Sequence, residues 1–405
     1  MNVQSFPPGQ RTTLIPIHKN TCPAFFLDAT IDSAGNYSPC TALGGQLINF
    51  GDQFLDEIWK NPKIEKLRAQ SAAGEQLPMC TRCWSEEKLN FVSERNYLIQ
   101  DVPEDTDYVD PAYYSMGPRH LNIKVSNICN LRCRTCQSHD SYLYNIEGEY
   151  YNKKYNLNNK FYNAGVLKKH FTDEQLDQLY KFSDNLQRIE LYGGEPFLDD
   201  QIPKFLNKLI DNGRSRDIDF SVSTNATHDL TDSWKKIFTS YRDVVINISI
   251  DAIGNQFTYM RHPGKWKDVE KNIKSFFELE YASTNITVQP VVTVSALNVY
   301  SLGEIFEYFK LYNVEPFIIL VQMPKYYCVN VIPDDIKLTV EKKLQSYNNS
   351  KFDPVINLLR SPQNGTDNTW DKFKFWTRAK DEYRKESFIE CFEEFGKILL
   401  EHNKW

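Results

Sequence analysis

The sequence predicts an α/β fold in which a parallel sheet, open or curled into a partial (β/α)6 barrel, follows a small cysteine-rich module and precedes C-terminal helices. Three observations carry this prediction. Six short β-branched or aromatic-rich runs alternate with amphipathic stretches between residues 121 and 321. Seven of the nine cysteines form two groups, one ahead of this region and one directly after its first strand-like run. A polar, acidic stretch, DVPEDTDYVDP over Asp101–Pro111, separates the groups and holds little that would pack.

The strand-like runs are Leu121–Ser126, Arg188–Tyr192, Ile218–Ser223, Val244–Ile250, Ile286–Val294 and Pro316–Val321. Between them, Ile202–Ile210, Val269–Leu279 and Leu302–Leu311 carry apolar residues three and four apart, as helices do. Strand–helix alternation at this spacing argues a parallel sheet. Six units are fewer than the eight of a closed barrel. Ser138–Ser183 is too long for one crossover and is crowded with Tyr and Asn, so an insertion is expected there. Trp370–Trp405 reads as one or two amphipathic helices packed as a cap. The expected domains are a cluster module over 1–100, a linker over 101–117, the barrel over 118–330 and a helical region over 331–405.

Composition narrows the function classes. The chain has 405 residues, 41% apolar and 14% aromatic, enough for a sizeable core. Its formal net charge of −6 argues against wrapping nucleic acid through bulk charge. The N-terminal stretch has no continuous apolar segment followed by a small-residue cleavage site, and no apolar run reaches membrane-spanning length. The expectation is a soluble, cytoplasmic protein with no membrane partner. In a reducing compartment clustered cysteines read as metal ligands or catalytic groups. Cys328 and Cys391 stand alone and read as small buried residues.

Cys129, Cys133 and Cys136 follow the first strand with C-x3-C-x2-C spacing. Three thiolates in a short loop can each bind one iron of a cubane cluster and leave the fourth iron open for chemistry. A closed zinc site would want a fourth ligand, and His139 is near enough in sequence to offer one. The next strand ends RIELYGGEPFL, which places Gly193, Gly194, Glu195 and Pro196 at its tip.

These two motifs, in order at the ends of successive strands, resemble the radical S-adenosylmethionine (SAM) superfamily. The resemblance spans Leu121 to about Val321 and implies a TIM-like partial barrel. It also implies a [4Fe–4S] cluster on Cys129, Cys133 and Cys136, with SAM chelated to the open iron through its amine and carboxylate. An external electron donor such as flavodoxin or ferredoxin would reduce the cluster, and cleavage of the sulfonium would give a 5′-deoxyadenosyl radical. Gly193, Gly194, Glu195 and Pro196 are implied to hold the SAM amine. Small residues let backbone carbonyls approach a cation, and Glu195 adds negative charge. In the same family pattern Asn225 ends the third strand, Ser249 and Asp251 end the fourth beside the SAM ribose, and Arg261 faces the SAM carboxylate. Members usually carry an aromatic before the third cysteine. Thr135 stands there instead, so adenine packing must differ, although a backbone hydrogen bond from that position would survive.

The first group holds Cys22, Cys40, Cys80 and Cys83. Ala24–Cys40 reads as a hairpin turning at Ser33-Ala34-Gly35-Asn36, and Leu55–Leu67 has helical spacing. Four cysteines on such a unit can fully ligate one cluster or one zinc ion. The segment resembles the twitch module, a shortened SPASM domain, in its Ser38-Pro39-Cys40 turn, its Glu57-Ile58-Trp59 helix with Arg68, and its C-x2-C pair. That resemblance implies an auxiliary [4Fe–4S] cluster, here ahead of the barrel. With four protein ligands, such a cluster would serve electron transfer or scaffolding.

The expected reaction is reductive cleavage of SAM followed by hydrogen abstraction from a substrate. Relatives with such modules mostly modify peptides or proteins, and others oxidise or rearrange small molecules such as sugars or nucleotides. A non-catalytic iron–sulfur or zinc protein would keep the cysteines without needing Gly193, Gly194, Glu195 and the ribose-side polar groups.

Overall fold

The computed structural model describes residues 17–43, 48–49, 55–88, 90–103, 106–157, 170–362 and 368–405. The stretch 1–16, part of the segment read above for a leader, and 158–169 of the Tyr/Asn-rich insertion lie outside the described residues.

Three strands come from the N-terminal region: β1 (Asp28–Asp32), β2 (Asn36–Ser38) and β3 (Ile48–Asn49). Six follow at the predicted places: β4 (His120–Lys124), β5 (Arg188–Tyr192), β6 (Asp219–Thr224), β7 (Val244–Ser249), β8 (Ile286–Val294) and β9 (Phe317–Leu320). They form one open sheet in the order β3-β2-β1-β4-β5-β6-β7-β8-β9. Every pair from β4 to β9 is parallel, as the strand–helix alternation required. The α/β partial-barrel expectation is borne out.

The two faces of the sheet differ because side chains alternate along each strand. One face carries Leu121, Ile123, Ile189, Leu191, Phe220, Val222, Ile246 and Ile248, none more than 1% exposed. Helices Ile202–Asp211, Asp232–Ser240 and Trp266–Tyr281 add their apolar stripes to the same core. The opposite face is polar. His120 Nδ1 lies 2.7 Å from Asp28 Oδ1, and Asn247 Nδ2 donates to Ser221 Oγ over 3.0 Å. This face also carries Glu190 and Ser249 and leads up to the site.

The hairpin turns where predicted, but its pairing is new. β1 runs parallel to β4 over five residue pairs, from Asp28 beside His120 to Asp32 beside Lys124. The N-terminal segment therefore extends the barrel's own sheet. The helix expected over Leu55–Leu67 is broken into Leu55–Trp59 and Pro62–Ala72. Pro62 lacks an N–H and suits a helix start, and the Asn61 side chain accepts from Lys63 N there. The helical region expected over 331–405 holds Asp334–Gln345 and Asp353–Arg360, and its last part, read as one or two helices, forms three, Thr369–Arg384, Phe388–Cys391 and Glu393–Glu401. Lys385, at a φ of +58°, stops Thr369–Arg384. Cys328 and Cys391 are half-buried at the margin of the main core. Among the described residues no helix is long and apolar enough to cross a membrane.

Candidate active site

The site is built from loops at the C-terminal ends of consecutive parallel strands, where such folds place chemistry. The loop after β4 holds Cys129, Cys133 and Cys136. The turn after β5 holds Gly193 to Pro196. Asn225 follows β6, Asp251 follows β7, and the backbone of Thr293 lies at the end of β8.

The first two loops touch through their backbones. Glu195 N donates to Ile128 O over 2.8 Å. A Cβ on Gly194 would fall 2.4 Å from Ile128 O, and the residue has a φ of +52°. Only glycine meets both the approach and the conformation. The Glu195 side chain then turns inward, 1% exposed. It accepts from Thr224 Oγ1 at 2.8 Å, Asn225 N at 2.7 Å and Phe197 N at 3.2 Å. Burial raises its carboxyl to about 6 against the pull of these donors. Pro196, buried, opens the short turn Pro196–Leu198 that holds this geometry.

Asn225 joins three loops. Besides its backbone bond to Glu195, its Nδ2 donates to Asn130 Oδ1 at 2.9 Å and reaches Cys129 Sγ at 3.8 Å. Leu131 N donates to the same sulfur at 3.4 Å. Arg261 Nη1 reaches Cys133 Sγ at 3.8 Å, and its Nε lies 3.0 Å from Asp251 Oδ2. Asp251 Oδ1 accepts from Thr293 N at 3.0 Å. Asp251 and Arg261 are therefore engaged with each other. Burial works against the Arg261 charge, yet Asp251 and the neighbouring thiols hold it above its ordinary value. Ser249 is half-buried at the end of the polar face, and Thr135 is half-buried beside Cys136.

The donor set, three thiols on one loop with N–H groups directed at two of the sulfurs, has the chemistry a metal cluster takes. Burial pushes Cys129 up to about 12, with the neighbouring Cys133 adding to it, and raises Cys133 and Cys136 in the same direction. Such thiols hold their protons until a cation displaces them. N–H donors already point at two of the sulfurs and would stabilise thiolate charge. His139, the alternative zinc ligand, has a half-exposed side chain with Nε2 3.1 Å from Asp140 Oδ2.

The second cysteine group also converges. Cys22, Cys40, Cys80 and Cys83 line one apolar pocket with Phe25, Leu77, Met79 and Leu98. Cys80 ends the turn Pro78–Cys80, and Cys83 sits on the helix Thr81–Lys88. Arg68 braces the pocket from behind. Its Nε donates to Phe25 O at 2.9 Å, Nη1 donates to Trp59 O at 2.7 Å, and its guanidinium covers the Trp59 ring at 4.2 Å. Burial raises all four thiols, Cys80 to about 11.

Two groups were missed by sequence reasoning. Arg132 and Arg134, which alternate with Cys129, Cys133 and Cys136, enter a buried ionic network, Arg132 with Glu147 and Arg134 with Asp381 and Glu386. Their placement inside the cysteine spacing was the available signal. Asn127 is 3% exposed, and neither of its amide atoms has a partner. A lone Asn before a cysteine loop gives no sequence signal.

Comparison with known proteins finds two domain families in the chain. Residues 123–301 match the Radical SAM superfamily, and residues 22–84 match SPASM, an iron–sulfur cluster-binding domain. An uncharacterised protein of Methanocaldococcus jannaschii, MJ0907, is 29% identical over 141 residues, 34% of this chain and 40% of that protein's length. Native anSMEcpe with bound AdoMet superposes with a TM-score of 0.41 at 20% identity, covering 56% of this chain and 60% of that one. Streptococcus suis SuiB bound to S-adenosylmethionine gives a TM-score of 0.38 at 14% identity, covering 72% and 59%. The chain thus spans less than two thirds of the length of each.

Proposed function

From a chain that joins a Radical SAM domain to an N-terminal iron–sulfur cluster-binding domain, we propose an enzyme that cleaves SAM reductively and abstracts hydrogen from a peptide or protein. Cys129, Cys133 and Cys136 would hold the SAM-binding cluster, and Cys22, Cys40, Cys80 and Cys83 the auxiliary one. Bound there, a reduced [4Fe–4S] cluster would supply the electron that splits SAM into methionine and a 5′-deoxyadenosyl radical able to remove a substrate hydrogen atom. The chain's own residues do the rest. Glu195 and the Gly193-Gly194 backbone receive the SAM amine. Asp251 and Ser249 face its ribose. Arg261, held by Asp251, offers its remaining N–H groups to the SAM carboxylate. Thr135 borders the adenine.

The observation that carries the peptide reading is a pair of adjoining surface hollows between the hairpin segment and the loop of Cys129 to Cys136. One starts at the hairpin tip, Ser33 and Asn36, and passes Lys124, Asn127, Cys40 and Asp140. The other continues through Thr41, Leu43 and Arg82 to Thr135, Gln137, Thr293 and Ile319–Met323. Thr41, Leu43, Arg82 and Asp140 line both stretches, so the two hollows adjoin. Polar residues such as Asn36, Arg82, Gln137 and Asp140 and apolar ones such as Leu43, Ile319 and Met323 line them together, the mixture an extended peptide would meet.

Extract fractions provide the test. Reconstituted protein with SAM and a reductant would be incubated with the peptide and small-molecule fractions of a cell extract. Stimulation of 5′-deoxyadenosine formation by the peptide fraction, abolished by protease, is expected. Stimulation by the small-molecule fraction alone would move the substrate class to small molecules.

A further inference from the structure

We propose that the C-terminal helix Thr369–Arg384 positions the loop carrying Cys129, Cys133 and Cys136, acting through Lys380, Asp381 and Arg384. The inference rests on the reading that these cysteines hold a cluster.

Arg134 lies between the second and third cysteines and is fully buried. Its Nη2 is 2.7 Å from Asp381 Oδ1 and 2.5 Å from Glu386 Oε2. Its guanidinium covers the Tyr259 ring at 3.7 Å. Its backbone is held too: Arg134 N donates to Met260 O at 2.7 Å, and Arg134 O accepts from Lys380 Nζ at 2.8 Å. Both the side chain and the carbonyl of this one residue are thus tied to the C-terminal helix.

A second set of ties acts through Glu147. Arg384 grips its carboxylate with two bonds, Nε at 2.7 Å and Nη2 at 3.0 Å, and both side chains are fully buried. Arg132 Nη1, between the first and second cysteines, lies 3.3 Å from the same carboxylate. Glu147 belongs to the helix Tyr144–Tyr155, whose first residue, Tyr144, donates its hydroxyl to Cys133 O. His262 closes the circuit, with Nδ1 2.6 Å from Glu386 Oε1 and Nε2 3.0 Å from Arg132 Nη2.

A cap built only for packing would use apolar side chains. Buried ion pairs often stabilise no better than well-packed hydrophobic residues, whereas removing one partner leaves an uncompensated buried charge. Here these ties fall on the two arginines and one carbonyl that alternate with the thiols. Groups that orient ligands from behind commonly change metal affinity about 10–100-fold when removed.

Holoenzyme carrying Asp381→Asn or Arg384→Gln would be compared with the parent. The readouts are iron release to a chelator and the electron paramagnetic resonance spectrum of the reduced, SAM-responsive cluster. Both variants are expected to keep the parental circular dichroism and the auxiliary cluster. They should lose iron from the SAM-binding site about 10–100-fold faster and show an altered response to SAM. Arg384→Lys should recover part of this. Leu399→Ala, a core truncation in the helix Glu393–Glu401, should lower Tm without either change. Parental iron release and spectra in Asp381→Asn and Arg384→Gln would overturn the proposal. So would loss of both clusters together with the fold in these variants and in Arg384→Lys. Cys133→Ala tests the underlying reading separately, since retention of the SAM-responsive signal there would refute the ligand assignment itself.

Discussion

The backbone N–H of Asn225 donates to the Glu195 carboxylate over 2.7 Å. This bond ties the turn after β5 to the loop after β6, while the Asn225 amide reaches Cys129 on the loop after β4. The negative charge proposed to receive the SAM amine is therefore fixed in place beside the proposed cluster. Glu195→Gln removes the charge and turns an amide N–H toward one of the backbone donors that the carboxylate accepts from. Charge-assisted hydrogen bonds contribute roughly 1.5–3 kcal/mol, so SAM affinity should fall by at least about 10–100-fold, with some loss of Tm. Equilibrium binding to reconstituted protein checks this.

Gly194→Ala should act more severely. The added Cβ would meet Ile128 O at 2.4 Å in a residue with a φ of +52°. Strain of this kind costs on the order of 1–3 kcal/mol and is relieved only by moving the turn away from the cysteine loop. Circular dichroism should stay near parental while SAM binding is lost.

Glu190 predicts a pH effect on stability. Burial pushes its carboxyl up to about 7, with Glu94 adding to the shift and Arg188 opposing it. A carboxyl whose folded pKa lies above its unfolded value, about 4.3, favours the fold while it is protonated. That contribution is complete below the unfolded value and is lost as pH rises through about 7. Glu190→Gln should therefore raise Tm at pH 8, by roughly 2–4 °C per kcal/mol recovered, and change it little at pH 4. Thermal melts at the two pH values decide this.

Cys80→Ala should separate the two cysteine groups. Cys80 lines the pocket of the first group, and no residue of the loop of Cys129 to Cys136 lines that pocket. Its loss would leave the auxiliary site three thiols. SAM should still be bound and cleaved, while substrate product falls and uncoupled 5′-deoxyadenosine continues. Loss of solubility would instead mark the site as structural, because small metal modules often fold only with metal bound. Normal product from a variant shown to lack the auxiliary cluster would exclude a redox role for it.

The parts legible in the sequence were those with local signatures. Alternation in Arg188–Tyr192 and the run Ile286–Val294 marked strands because one face of each is buried. The Gly193-Gly194 pair marked its turn because both residues hold a positive φ, and the cysteine spacing marked a loop after the first barrel strand. The pairing of β1 with β4 was not legible, since a hydrophobic pattern records which face is buried and not which strand lies alongside. The contribution of Lys380, Asp381 and Arg384 was hidden for a similar reason. Their partners Arg134 and Glu147 lie more than 230 residues earlier in the chain, and a charged face on a helix reads locally as a solvated one.

The central claim is that Cys129, Cys133 and Cys136 hold a cluster that supports SAM cleavage. The most direct measurement is mass spectrometry for 5′-deoxyadenosine after anaerobic reconstitution with iron and sulfide and incubation with SAM and dithionite. The parent should contain two clusters, on three and four cysteines, and form 5′-deoxyadenosine, and folded Cys133→Ala should form none. Unchanged 5′-deoxyadenosine from Cys133→Ala, or none from a parent fully loaded with iron and sulfide, would contradict the account.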